Sequence, residues 1–175
     1  MRPLQWPMNG QVQEGSYVTL GTNMCYPFSR GNVHISSTDS SADPVIDPNY
    51  LSNELDMELL ARQVFWLQTL GDCAPLRDLF VRQGRRNHES AYFRDLEDAK
   101  KYVRETAATE YHPCRTCAML PKDQGGVVST SLMVYGTQNL RVVDSSMMPM
   151  MTSSNLQPTV YAVAERAVDI IKFRG

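Results

Sequence analysis

The segment YHPCRTCAML, residues 111–120, places His112 directly before a proline and follows it with Cys114 and Cys117 at a Cys-x-x-Cys spacing. Three chemistries start from such a set: metal ligation, thiol–disulfide redox, and proton transfer by the imidazole. A structural zinc site takes four ligands, usually with a second cysteine pair. Cys25, Cys73, His34 and His88 stand isolated along the chain, so no metal site is expected. A thioredoxin-type pair opens a helix after a strand, whereas Pro113 and the following MLPKDQGG disfavour a helix here. That leaves His112, which standing alone is more often a structural or surface histidine than a catalytic one, and Cys117 as a small buried hydrophobe. A second polar group, Asn155, stands just before the apolar stretch LQPTVYAVAERAVDII. Its amide can cap a helix there or hydrogen-bond a ligand, and the two roles are compatible.

The elements that must position these residues read as follows. Residues 16–20, 24–28 and 32–37 (SYVTL, MCYPF, NVHISS) are short β-favouring runs separated by GTN and SRG. The polar TDSSADPVIDPNYLSN, with Asp-Pro steps at 43–44 and 47–48, is expected to be a surface loop. The period then changes. Met57, Leu60, Val64 and Leu67 recur at three- and four-residue spacing, with Asn53 or Asp56 placed to cap, which predicts an amphipathic helix ended by GDCAPL. DLEDAKKYVRETA predicts a second helix, capped by Asp95, with acids in its first turn and Leu96, Ala99 and Val103 on one face. After His112 the runs GGVV, SLMVYG and NLRVVD read as strands. A last helix is expected from Pro158 to about Lys172, with apolar residues over an arc wide enough for burial on more than one side. Of the methionines at 147, 148, 150 and 151, at least two are expected in the core. The fold class expected is α+β, an antiparallel sheet with about three main helices packed on it and a closing strand–helix unit.

Composition narrows the function. With 175 residues, 42% hydrophobic and a formal net charge of −2, the chain is long enough for a real core. It has no concentrated positive field for nucleic acid or for an anionic membrane surface. Its start carries no apolar run of signal-peptide or membrane-span length, which predicts a cytoplasmic protein if Met1 is the true beginning. None of the ten glycines falls into GxGxxG or GxxxxGK[ST], so no dinucleotide or nucleotide phosphate cradle is expected in this chain.

The stretch from YHPCRTC through SSNLQPTVYAVAERAVDII resembles the closing signature of the glucose–methanol–choline (GMC) oxidoreductases, flavoenzymes that oxidise alcohols. CYPFSRGNVHISSTDSSADPVIDPNYL and NELDMELLARQVFWLQTL are similar to the start and the helix of that family's C-terminal substrate domain. The resemblance implies residues 25–175 as that domain, preceded by an extension and first strand over 1–24. It implies His112 and Asn155 as the two active-site positions, and Asp144 and Ser145 beside the ribityl chain of FAD. Pro158 and Thr159 then open a helix whose N-terminus points at the flavin pyrimidine ring. Physical sense agrees. Alcohol oxidation needs the hydroxyl proton removed as hydride leaves carbon, and neutral histidine accepts protons near pH 7. Reduced flavin carries its negative charge on the pyrimidine side, which a helix N-terminus stabilises.

The departures from the family are equally specific. Cys114 and Arg115 replace its usual Val-Gly, Ser129 stands where an aspartate is typical, and Met133 where a basic residue is usual. The glycine-rich flavin-binding half is not in this sequence. Three functions follow as expectations. The first is the substrate-binding, catalytic-histidine half of an FAD-dependent alcohol oxidoreductase, acting on a hydroxyl-bearing small molecule with a flavin-binding partner chain or as a homo-oligomer. The second is a stand-alone enzyme doing non-redox acid–base chemistry, a cyclisation, dehydration or isomerisation, with His112 as base. The third is a non-catalytic remnant or binding module.

Overall fold

The structure, a computed structural model, describes residues 15–81 and 84–174. The chain falls into two compact units. One comprises residues up to Met24, Phe28–Arg30 and Tyr50–Thr109; the other comprises Cys25–Pro27, Gly31–Asn49 and Glu110 onward. Most of the expected N-terminal extension lies outside the described residues.

The first unit is built on α1 (Glu54–Gly71) and α3 (Leu96–Thr106), with a single turn of helix, α2 (Leu76–Leu79), after α1. Asn53 caps α1, its side chain accepting from the Leu55 N–H, and Glu54 and Asp56 place negative charge in the first turn. Asp95 caps α3 in the same way, accepting from the Asp98 N–H. Both predicted helices are therefore present with the expected caps. They pack through Met57, Ala61, Ala99 and Val103. Ala61 and Ala99 are fully buried, and two alanines facing one another let the helix backbones approach closely. Lys100 on α3 reaches Glu58 on α1 at 3.2 Å. Arg86 donates to Gln68 and the Ala91 carbonyl while lying over the rings of Tyr92 and Phe93.

The second unit holds the only ladder among the described residues. Strands β1 (Asn32–His34) and β2 (Val45–Asp47) pair antiparallel with Val33 opposite Ile46, every residue of both being exposed. Thus β2 lies inside the stretch read as loop: Val45 and Ile46 are β-branched residues between two Asp-Pro steps, and the turn chemistry around them masked a short strand. Runs 16–20 and 24–28 form no ladder.

From Glu110 onward the predicted strands are single bridges instead of ladders, Met119 with Val128, Val128 with Val134 and Met133 with Arg141. The cause is local. Leu132 (φ +65°) and Gly136 (φ +83°) turn the backbone left-handed every few residues, so pairing cannot propagate. At Gly126 a Cβ would stand 1.9 Å from the Leu120 carbonyl oxygen, so only glycine allows this loop to close on itself. The closing helix α4 (Gln157–Arg174) buries Ala167 and Ile170 against Val128, Leu132, Met147, Met148 and Leu156. Met147 and Met148 are core residues as expected, while Met150 is exposed. Only one side of α4 is covered by its own unit: Tyr161, Val168, Ile171 and Phe173 are exposed. No helix among the described residues is long and apolar enough to cross a membrane.

Candidate active site

His112 lies on a chain segment held in place by main-chain bonds. The N–H groups of Arg115, Cys117 and Met119 donate to the carbonyls of Ser145, Ser146 and Met147 at 3.4, 2.9 and 2.8 Å. The Ser145 hydroxyl adds a bond to the Pro113 carbonyl at 2.8 Å, joining positions 32 residues apart in sequence. Residues 145–147 form a 3-10 turn capped by Asp144, whose carboxylate accepts from the Ser146 N–H. Asp144 and Ser145 therefore first serve as scaffold: one shapes the turn and the other ties it to the His112 segment.

The backbone around His112 is strained. Tyr111 (φ +59°) and Arg115 (φ +80°) both adopt the left-handed region, which costs an L-residue roughly 1–2 kcal/mol relative to its preferred wells. Arg115 occupies the position filled by glycine in the resembling family, and it keeps a glycine-like backbone there. Arg115→Gly is expected to raise stability by up to about 1 kcal/mol, relief of strain being partly offset by a freer unfolded chain. Arg115→Val, β-branched and intolerant of positive φ, is expected to lower it by about 1–2 kcal/mol. Urea unfolding of the three proteins checks the order.

His112 is half-buried and opens onto a hollow of about 270 Å³ lined by Tyr111, His112, Pro113, Ser145, Leu156, Gln157 and Val160. The hollow thus joins the His112 segment, the 145–147 turn and the first turn of α4. No carboxylate lines it. Asn155 immediately precedes this first turn, and its Oδ1 accepts from the Gln157 N–H at 3.0 Å. The amide oxygen is the only atom of that side chain able to accept this bond, which leaves its NH2 group as a hydrogen-bond donor. Of the two roles expected for Asn155, the structure shows the hydrogen bond at the start of α4. Gln157, which the sequence did not single out, lines the hollow with its amide nitrogen bonded to the Tyr161 hydroxyl at 3.2 Å.

Pro158 and Thr159 sit in the first turn of α4, Pro158 being exposed and Thr159 half-buried. That turn contains no acidic residue, whereas α1 and α3 each carry two. The positive end of the α4 dipole is thus left without a counter-charge from its own first turn, which suits the anionic side of a reduced flavin ring. The fit is partial. The α4 terminus and its neighbouring polar groups would suit a flavin ring, while this sequence has no glycine-rich turn for a diphosphate. All four cysteines are thiols, and no group of three or more His, Cys, Asp or Glu among the described residues is placed to hold a metal. Cys114 packs against the core of the second unit, while Cys117, expected to be a small buried hydrophobe, is only half-buried.

The second unit thus sets His112 on a hollow beside the N-terminus of α4, with Asn155 hydrogen-bonded at the start of that helix. The family profile described as GMC oxidoreductase matches residues 27–164, and the chain belongs to that family. It is 41% identical over 162 residues to the GMC oxidoreductase family protein Mala s 12 of Malassezia sympodialis, covering 93% of this chain and 26% of that protein. It is 38% identical over 151 residues to human mitochondrial choline dehydrogenase, covering 82% of this chain and 24% of the other. Among solved structures, a fungal aryl-alcohol oxidase superposes with a TM-score of 0.73 at 38% identity, over 84% of this chain and 24% of that one. The chain therefore spans about a quarter of the length of these relatives.

Proposed function

We propose that this chain is the substrate-binding, catalytic-histidine part of an FAD-dependent alcohol oxidoreductase. The observation that carries the proposal is the hollow itself, where His112 meets Ser145 and the uncompensated N-terminus of α4. In this reading an alcohol sits in the hollow with its hydroxyl toward His112. The imidazole accepts the hydroxyl proton, contributing the roughly 10²–10⁴-fold typical of a positioned base. The NH2 of Asn155 donates to the substrate oxygen as it gains negative charge, a contribution realised mainly in the transition state. Leu156 and Val160 supply the apolar wall. Asp144, Ser145, Pro158 and Thr159 are the residues that would lie along the flavin, which supplies the hydride acceptor when bound.

A polypeptide carrying the diphosphate cradle is the proposed partner, and the exposed apolar strip of α4 (Tyr161, Val168, Ile171) is the surface it would cover. Relatives about four times as long have room for such a cradle within one chain. By the same reasoning the 175-residue chain alone is expected to bind no flavin tightly, because nothing in its sequence cradles the pyrophosphate. Absorbance in the flavin bands that stays with the protein through gel filtration would contradict this. The function itself is tested by supplying the flavin-binding part of a relative and following anaerobic loss of flavin absorbance on adding an alcohol. Loss of absorbance is expected; turnover of the alcohol with the flavin unbleached would favour non-redox chemistry at His112.

A further inference from the structure

We propose that Ser145 is a positioning residue for His112, its hydroxyl acting through the Pro113 carbonyl to hold the imidazole in place for proton transfer. The inference rests on the reading of the hollow as an alcohol site. His112, Pro113 and Ser145 all line that hollow, and the Ser145 Oγ donates to the Pro113 carbonyl at 2.8 Å. The main-chain bonds that tie the His112 segment to the 145–147 turn weaken in the direction of the histidine. They measure 2.8 Å at Met119, 2.9 Å at Cys117 and 3.4 Å at Arg115, the last longer than an ordinary N–H to oxygen bond. The Ser145 carbonyl that receives this longest bond also accepts from the Met148 N–H at 3.2 Å.

The next bond toward His112 falls to Pro113, and the turn has no main-chain donor to spare for it. Proline lacks an N–H, so Pro113 presents only a carbonyl and needs a donor opposite. The Ser146 N–H donates to the Asp144 carboxylate at 2.8 Å, and the Met147 N–H to the Asp144 carbonyl at 3.2 Å. The Ser145 hydroxyl fills the gap and extends the row of bonds to the residue that follows His112. Its one hydrogen is thereby committed to Pro113 and not to a cofactor. The stretch it clamps lies between two left-handed residues, Tyr111 (φ +59°) and Arg115 (φ +80°). Such backbone persists where surrounding contacts over-determine it. A base displaced by about 1 Å from its proton loses rate steeply. An alanine at 145 keeps the Asp144 cap and the three main-chain bonds, so it frees the His112 end of the segment without unmaking the turn.

The test compares the unaltered full chain with Ser145→Ala and Ser145→Thr in two readouts. The first is the NMR signal of the His112 imidazole, recorded without flavin. One narrow line is expected in the unaltered chain and in Ser145→Thr, and a line broadened by microsecond-to-millisecond exchange in Ser145→Ala. The second is anaerobic flavin reduction by benzyl alcohol with the flavin-binding part of a relative supplied. Ser145→Ala is expected to lower kcat about 10-fold with KM changed by less than about 2-fold, and Ser145→Thr to recover most of that loss. A His112 line as narrow in Ser145→Ala as in the unaltered chain, or a kcat that Ser145→Thr does not restore, overturns the proposal. The alcohol site then stands so long as the unaltered chain reduces flavin. If the unaltered chain reduces none while His112 broadens in Ser145→Ala, the alcohol reading fails and the hold of Ser145 on His112 is upheld.

Discussion

His112→Ala is expected to lower alcohol oxidation by about 10²–10⁴-fold once the flavin-binding part is supplied, since it removes the proton acceptor from the hollow. Asn155→Ala should cost less activity, about 10–10³-fold, because it removes one hydrogen bond to developing charge. It should also cost about 1 kcal/mol of stability through loss of the α4 cap. These two effects are separable with Asn155→Asp. A carboxylate accepts from the Gln157 N–H as well as an amide oxygen does, so the cap and the fold are retained. The NH2 donor is lost, and a negative charge is set beside an oxygen that must itself become negative. Asn155→Asp should therefore be at least as inactive as Asn155→Ala while unfolding at nearly the original temperature. Cys114→Ser should be close to silent in turnover. The measurement is the anaerobic rate of flavin reduction for each variant beside its thermal midpoint. An active His112→Ala, or a folded but inactive Cys114→Ser, would return the cysteines to the centre of the chemistry.

What could be read from the residues, and what could not, divides along the range of the interactions. The caps at Asn53 and Asp95 and the periodic faces of α1 and α3 are local, and their positions are nearly those that spacing and cap chemistry imply. The strands around the site were not legible in this way. SLMVYG and NLRVVD have strand composition, but left-handed backbone at Leu132 and Gly136 limits each to a single bridge. Leucine carries no sequence signal for positive φ. The bond from the Ser145 hydroxyl to the Pro113 carbonyl was likewise hidden, because a serine 32 residues away has many possible partners. Gln157 escaped notice because a lone glutamine at a helix start looks like any solvated residue. The signal that could have found it was its place two residues after Asn155, at the distance an asparagine cap reaches. The wide apolar arc of α4 predicted burial on more than one side, yet its own unit covers only one. Periodicity reports which faces seek cover and not which segment provides it.

Asp56 should govern the acid stability of the first unit. It is 1% exposed and accepts from the N–H groups of Phe28 and Ser29 at 2.8 and 2.6 Å and from the Ser29 hydroxyl at 2.5 Å. A single carboxylate thereby pins residues 28–30 onto the first turn of α1. Burial by itself pushes its pKa upward, but the bonds from Phe28 and Ser29 and the charge of Arg30 outweigh it and leave the group below the ordinary carboxylate value of 3.8. The sign follows from that depression. Above the unfolded pKa the carboxylate is ionised in both states and its full stabilisation is present; as pH falls below about 4, the unfolded chain takes up the proton first and stability is lost progressively. Asp98, held down to about 2 by the side-chain bond from Arg94 and then by the Arg94 N–H, adds to the same acid slope from a half-buried position. Asp56→Ala leaves two main-chain donors and a hydroxyl without their acceptor and is expected to destabilise the unit by about 3 kcal/mol at neutral pH. Asp56→Asn keeps one acceptor but turns an NH2 toward those donors, and should cost about 2 kcal/mol. The pH dependence distinguishes the carboxylate from simple packing. In Asp56→Asn the loss of stability between pH 4 and 2 should be shallower than in the unaltered chain, with the part due to Asp98 remaining. Equal slopes in urea unfolding across that range would show that Asp56 holds the 28–30 turn by shape alone.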